Sequence, residues 1–188
     1  MRISLSVIIG LVSLTSTIFG QDDIKFPFKS GVIKYGATGF AIGKSIVYFE
    51  NFGKTLCEDF SGTVWDQNIE TRTIVKDEMI YTLDMKEKTF TVVELNIAGM
   101  KLYEEFYFDE KRFKEKGFTF EGEEVVLTKK CKIYSKNKDF LLRVWVWKGL
   151  IIKKEDDLLG GSVVYATSIE NTAPEAKIFE IPGNFTEQ

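Results

Sequence analysis

Ser45–Phe60 reads SIVYFENFGKTLCEDF, and this pattern is typical of two β-strands joined by a turn. The runs Ser45–Phe49 and Thr55–Phe60 are rich in β-branched and aromatic residues, which favour strands. Between them lies Asn51–Lys54, which contains the asparagine and glycine that turns prefer. The segment therefore predicts an antiparallel hairpin.

Runs of the same kind recur along the chain at intervals of about 8–12 residues, the spacing of an antiparallel meander. They are Val32–Tyr35, Thr71–Val75, Met79–Leu83, Thr89–Leu95, Glu124–Tyr134, Phe140–Trp147, Leu150–Lys153 and Ser162–Ile169. None of the three prolines lies inside a run, so none removes a hydrogen-bond donor from a predicted strand. We therefore expect a mainly antiparallel sheet.

One segment, Lys101–Lys116, shows helical rather than alternating periodicity. Its apolar residues Leu102, Phe106 and Phe113 fall on one stripe of a helix. Acidic residues near its start and basic residues near its end suit the helix dipole, and Gly117 follows as a natural stop. A long antiparallel sheet with one amphipathic helix in mid-chain predicts an α+β fold in which the helix packs across the concave face.

The second half of the chain carries strand and turn motifs in a fixed order. They are CKIY at Cys131–Tyr134, RVWVWKG at Arg143–Gly149, IKKE at Ile152–Glu155, ATSIEN at Ala166–Asn171 and FEIP at Phe179–Pro182, and GKSIVYFENFGK at Gly43–Lys54 precedes them. This series resembles uncharacterised exported bacterial proteins related to the LolA/LolB-like lipoprotein-carrier superfamily. The resemblance implies a strongly curved half-barrel, with a helix that covers an apolar cavity.

The resemblance also implies a function, because the cavity of the carriers receives the acyl chains of lipoproteins. We therefore expect a non-enzymatic binding or carrier protein for a lipid, a lipoprotein acyl chain or another amphiphile. A lipoprotein or an envelope protein is a further expected partner. The alternative is a protein-interaction or envelope-sensor module, in which the same sheet is a scaffold without a ligand.

The paired tryptophans point to where a cavity would lie. On a strand, Trp145 and Trp147 face one side, and Val144 and Val146 face the other. A strand that is apolar on both faces is covered on both faces, or lines a cavity with one of them. The candidate cavity residues are Leu102, Phe106, Phe113, Trp145 and Trp147. The alternative for each of them is an ordinary place in a filled core.

The first twenty residues have the layout of a cleavable secretory signal peptide. Arg2 precedes an apolar run, Ile3–Leu14, and small residues follow it up to Gly20. The run is short for a membrane span, and no cysteine follows it that could carry a lipid anchor. We expect residues 21–188 to form a single soluble domain in a bacterial periplasm, with no integral membrane segment after processing.

The composition argues against several classes of function. The chain contains no histidine, which removes Ser-His-Asp and Cys-His hydrolases and histidine-ligated zinc sites. Two cysteines cannot form a four-thiolate metal site, and no catalytic spacing of carboxylates, lysines or tyrosines is evident. A net charge of −3 provides no electrostatic reason to bind nucleic acid. The sequence thus predicts no enzyme activity, no cofactor, no metal site and no nucleic-acid partner.

The sequence offers one argument for a disulfide between Cys57 and Cys131 and one against it. Export favours oxidation, and two cysteines allow one intrachain bridge. The strand alternation argues against it, because Cys131 shares a face with the apolar Leu127 and Ile133, whereas Cys57 shares one with Asp59. Residues on opposite sides of a sheet cannot reach the short Cα separation that a bridge needs.

Overall fold

The computed structural model describes residues 26–95, 102–137, 141–157 and 161–188. The predicted signal peptide at residues 1–20 lies outside the described residues. The described strands are β1 (Gly31–Gly39), β2 (Ala41–Glu50), β3 (Thr55–Val64), β4 (Gln67–Lys76), β5 (Met79–Asp84), β6 (Thr89–Glu94), β7 (Thr119–Val126), β8 (Lys129–Asn137), β9 (Leu141–Trp147), β10 (Leu150–Asp156), β11 (Ser162–Glu170) and β12 (Thr186–Glu187). A six-residue helix, α1 (Glu110–Glu115), lies between β6 and β7. Short 3-10 turns occupy Asn51–Gly53 and Ala176–Phe179.

The strands form one open sheet in the order β12-β6-β5-β4-β3-β2-β1-β11-β10-β9-β8-β7. All of the described strand pairs are antiparallel except β12 with β6. The chain runs as a meander from β1 to β6, resumes at the far edge with β7, and works back until β11 pairs with β1. The predicted fold, a curved antiparallel half-barrel, is confirmed.

Several hairpins turn through two residues that both have positive φ. These pairs are Trp65-Asp66, Asp77-Glu78, Leu127-Thr128 and Lys148-Gly149. Positive φ at both central positions is the type I′ geometry, whose twist matches that of the flanking strands. Only the last pair contains a glycine, so the other three accept unfavourable backbone conformations in order to keep their strands paired.

The prediction of a single strand at Glu124–Tyr134 is wrong, because this segment spans a hairpin. Strand β7 ends at Val126 and β8 begins at Lys129, and the two strands pair with each other. The intervening Leu127 and Thr128 have φ values of 47° and 61°. Neither residue type is typical of turns, so local composition shows no break, and the pairing of β7 with β8 accounts for the turn.

The prediction of one continuous helix at Lys101–Lys116 is also wrong. Residues 102–104 are helical, but the chain then extends, and Tyr107 forms a β-bridge with Leu150. A new helix, α1, begins after Asp109, whose carboxylate accepts a hydrogen bond of 2.7 Å from the Arg112 amide. Residue 101 lies outside the described residues. The residue types do repeat with helical spacing. Between the two halves of the segment, however, the backbone forms its hydrogen bonds with β10 and does not continue a helix.

We call residues 102–108 the crossing segment, because it reaches from the β2–β3 turn to β10. The Tyr103 hydroxyl donates to the Lys54 carbonyl over 3.1 Å. At the other end, the Ile151 amide donates to the Phe106 carbonyl over 2.8 Å, and the Phe108 amide donates to the Gly149 carbonyl over 2.7 Å. The two halves of the sheet are therefore tied together through this segment.

Three apolar clusters hold the described chain together. The first and largest joins strands from both halves of the sheet to the crossing segment through Phe106. The second packs α1, through Phe113, against the face of β9 that carries Val144 and Val146. The third packs the C-terminal residues, through Phe179, over Cys57 and its neighbours on β4 and β5. In the part of the chain that the structure describes, no helix is long and apolar enough to cross a membrane.

Candidate ligand cavity

A cavity of about 150 Å³ lies between the crossing segment and the strands on which it rests. Aromatic and aliphatic side chains make up most of its wall, which includes Tyr35, Phe60, Phe106, Ile151 and Val164. The Phe106 ring lies 5.7 Å from the Tyr35 ring, centroid to centroid, and both residues are buried. The cavity therefore offers a mainly apolar surface, which is the usual character of a small-molecule site.

Two carboxyl groups, those of Glu58 and Glu105, belong to the cavity wall. Glu58 lies on β3 between Leu56 and Phe60 in the strand alternation, so it shares their side of the sheet. The Ser45 hydroxyl on β2 donates a hydrogen bond of 2.6 Å to Glu58 Oε1. Burial raises the pKa of Glu58 to about 6, the hydrogen bond from Ser45 opposes that rise, and the charge of Glu105 adds to it.

The lysines that line the cavity are already engaged with carboxylates. Lys154 on β10 pairs with Glu105 of the crossing segment, and both residues line the cavity. Lys153 pairs with Glu155 at 2.5 Å, and its ammonium also lies 4.3 Å from the centre of the Trp145 ring. Among the described residues, no lysine or arginine forms an ion pair with Glu58.

A second cavity, of about 190 Å³, lies on the other side of the Glu105–Lys154 ion pair. Its wall includes Phe113 of α1, Phe118, and Val144 of β9. Glu105 and Lys154 line both cavities, so this ion pair stands between them.

The structure separates the five cavity residues that the sequence predicted. Phe106 lines the first cavity and Phe113 lines the second. Trp145 is buried in the first cluster, and Leu102 and Trp147 pack against that cluster half-buried. None of these three lines either cavity.

Trp145 has the contacts of a core residue. Its indole Nε1 donates a hydrogen bond of 2.7 Å to Glu124 Oε2 on β7. The predicted common face for Phe113 and the two tryptophans is wrong, because Phe113 packs against Val144 and Val146 on the opposite face of β9.

The polar residues of the cavity, Glu58 and Ser45, did not figure in the sequence prediction. One signal was available, since Leu56, Glu58 and Phe60 alternate on a single strand face and a carboxylate interrupts that apolar series. The partner Ser45 carries no comparable signal. Its role is evident only from the β2–β3 register, which places Ser45 opposite Phe60 and two pairs away from Glu58, on the same face of the sheet.

Cys57 and Cys131 are both buried and both free in the structure. Cys57 belongs to the cluster under the C-terminal residues, whereas Cys131 belongs to the first cluster with Trp145. Burial raises the pKa of the Cys57 thiol to about 12 and also raises that of Cys131. Each thiol thus behaves as a small apolar side chain in its own cluster. Within the described ranges, no three Cys, Asp or Glu side chains are grouped so that they could hold a metal ion.

Comparison with known proteins finds a similarity of fold and none of sequence. No family model matches the sequence, and no curated protein matches it either. Among solved structures, an uncharacterized conserved protein from Thermus thermophilus is similar with a TM-score of 0.58, covering 86% of this chain and 92% of that chain at 6% identity. This similarity shows a shared fold.

Two further solved structures show weaker similarity. MucB in complex with MucA(peri) has a TM-score of 0.46 at 11% identity, covering 82% of this chain and 55% of that chain. LprF from Mycobacterium bovis has a TM-score of 0.42 at 11% identity, covering 88% of this chain and 93% of that chain. Identities this low show a likeness of fold alone.

Proposed function

We propose that this protein is a non-enzymatic binding protein that holds the apolar part of a small amphiphile beneath Phe106. The observation that carries this proposal is the mainly apolar cavity between the crossing segment and the sheet, with Glu58 in its wall. An apolar cavity with a few polar groups is suited to a molecule that has both characters. The partner is therefore a hydrophobic small molecule or a lipid.

The size of the cavity limits what fits in the closed conformation. A cavity of about 150 Å³ holds a molecule the size of benzene, whereas pockets for larger ligands span about 300–1,000 Å³. A ring or a short alkyl chain therefore fits as the structure stands. The long acyl chain of a lipid or a lipoprotein is larger than this cavity, so it requires the crossing segment to move away from the sheet.

Two interactions hold the crossing segment over the first cavity. The Glu105 side chain is 51% exposed and that of Lys154 is 21% exposed, so their ion pair contributes at most about 1 kcal/mol. Phe106 is the apolar contact that resists opening, since its ring is buried against Tyr35. The crossing segment thus combines a closing side chain with an ion pair that is easily broken.

The test measures saturable binding of the fluorescent probe N-phenyl-1-naphthylamine, with octan-1-ol as a competitor. The probe has three aromatic rings, so its binding also requires the crossing segment to move away from the sheet. We expect octan-1-ol to displace the probe, and Phe106→Ala to raise the Kd of octan-1-ol by about tenfold, because a lost apolar contact is worth about 1.4 kcal/mol. Phe179→Ala is the matched control, since Phe179 is equally buried but lies in the cluster under the C-terminal residues. If the wild-type protein shows no saturable binding, or if both variants weaken binding equally, the cavity is not the binding site.

A second candidate function is the interaction module, and the edge strand β7 favours it. Val125 is 68% exposed and Phe120 is 54% exposed on this unpaired edge, where a partner strand can add to the sheet. Native mass spectrometry of freshly isolated protein separates the two functions. A retained small amphiphile supports the first. A retained polypeptide that Val125→Lys releases supports the second.

We also propose that the protein works outside the cytoplasm, in a bacterial periplasm. This proposal rests on the Arg2-to-Gly20 pattern of a signal peptide. Sequencing the amino terminus of the exported protein should find a start near Gln21. A retained Met1 would overturn it.

A further inference from the structure

We infer that Glu58 is the anchor for the polar end of the ligand, and that the preferred ligand is an amphiphile with a protonated amine. This inference rests on the proposed binding function and names the chemical class that the same cavity takes. Three observations carry it: the place of Glu58 in the cavity wall, the lack of a cationic partner for it among the described residues, and the engagement of the nearby lysines.

The carboxyl group of Glu58 is under-satisfied where it lies. A carboxylate has about four lone-pair sites for hydrogen bonds, and Ser45 supplies one donor, to Oε1. Within the described residues, no other side-chain hydrogen bond and no ion pair reaches Glu58. A carboxylate held in an apolar wall with one donor retains most of its capacity for a ligand.

The charges near Glu58 favour a cation over an anion. The charges of Glu105 and Asp59 both raise the pKa of Glu58, so both favour a cation beside it. Asp59 is itself paired with Arg72 at 2.6 Å. An ammonium group at this position gains a charge-assisted hydrogen bond, whereas a carboxylate head group meets like charges.

The lysines of the cavity do not reverse this preference. Lys154 and Lys153 each pair with a glutamate, so an anionic ligand would have to compete with Glu105 or Glu155 for them. An amine ligand leaves both ion pairs in place and binds Glu58, the one acidic group of the wall that has no cationic partner in the described chain. The cavity therefore discriminates by the charge of the head group, while its apolar wall accepts the chain.

The test compares three ligands of equal chain length: octylamine, octan-1-ol and octanoate. Each competes with N-phenyl-1-naphthylamine at pH 8, where both the Glu58 carboxylate and the octylammonium are charged. We expect octylamine to bind at least tenfold more tightly than octan-1-ol, and octanoate to bind most weakly. Glu58→Gln should remove the advantage of the amine over the alcohol. Glu94→Gln, which alters an exposed glutamate on β6, should keep it.

A second measurement on the wild-type protein needs no variant. The advantage of octylamine over octan-1-ol should shrink between pH 8 and pH 5, because protonation removes the charge of Glu58. The other titratable and charged groups that face or influence Glu58 are Tyr35 on β1, Asp59 on β3, Glu105 on the crossing segment, and Lys153 and Lys154 on β10. Glu58→Gln should show no such change between pH 8 and pH 5, and an equal change in this variant would contradict the inference.

The outcomes separate this inference from the proposed function. If octan-1-ol binds but octylamine has no advantage, or if Glu58→Gln retains that advantage in full, the anchor is wrong and the binding function stands. If octanoate binds most tightly, the lysines form the anchor and the inference is overturned. If none of the three displaces the probe, the proposed function itself fails.

Discussion

Replacing Glu58 with glutamine should remove a pH-dependent destabilisation of the folded protein. Burial raises the pKa of Glu58 to about 6 from the ordinary value of 4.5, so the folded chain binds this proton more tightly than the unfolded chain does. The contribution of Glu58 to stability is therefore greatest below pH 4.5 and is lost as the pH rises through about 6. The gap between the two pKa values corresponds to about 2 kcal/mol, of which a little more than about 1 kcal/mol is lost between pH 5 and pH 8.

The assay is urea unfolding of the wild-type protein and of Glu58→Gln at several values between pH 5 and pH 8. This window avoids Glu110 and Glu121, whose pKa values are lowered by hydrogen bonds from neighbouring side chains, so both stay ionised throughout it. Between pH 5 and pH 8, the free energy of unfolding of the glutamine variant should fall by about 1 kcal/mol less than that of the wild type. Glu94→Gln should follow the wild type. If the free energy of unfolding falls equally with pH in Glu58→Gln and in the wild type, then burial of the carboxylate does not destabilise the fold and the argument is refuted.

Three further predictions concern packing and turns. Trp145→Ala should lower the free energy of unfolding by about 3–5 kcal/mol, with little change in probe affinity at pH 8, because this buried indole lies in the core and does not line the cavity; lost binding with intact stability would contradict its place in the structure. Cys57 and Cys131 should react with a thiol reagent only after the protein unfolds, because both are buried. Without reductant, the unfolded protein should show two reactive thiols, and the absence of reactive thiols would show a disulfide. Thr128→Gly should stabilise the β7–β8 hairpin by up to about 1 kcal/mol, whereas Thr128→Ala should not, since the φ of 61° suits glycine alone.

The sheet was predictable because strand formation shows itself in neighbouring residues. Alternation and β-branched content located Val32–Tyr35, Ser45–Phe49 and Met79–Leu83 inside strands that the structure extends by a few residues. The same local signal failed at Leu127-Thr128, where no turn residue marks the hairpin. It failed again in the crossing segment, where pairing with β10 replaces a helix that the residue types alone would allow.

The cavity was less predictable than the sheet, because its walls come from residues far apart in sequence. Phe106 was identified from its helical stripe, yet its neighbour Tyr35 is reached only when β1 and β10 come together, as the hydrogen bond of 3.0 Å from the Tyr35 hydroxyl to the Ile151 carbonyl shows. Trp145 looked like a cavity residue by composition. Its burial in the first cluster places it in the core instead.

The residue pattern by itself determined that this chain forms an antiparallel sheet and that Phe106 and Phe113 are buried apolar residues of the segment between β6 and β7, because periodicity is a property of adjacent residues. The tertiary structure alone decided that Glu58 stands in an apolar wall and that the lysines near it already have partners. Both facts depend on burial and on charges brought together across the sheet, and the electrostatic free energy of a group is set by those surroundings and not by its own residue type.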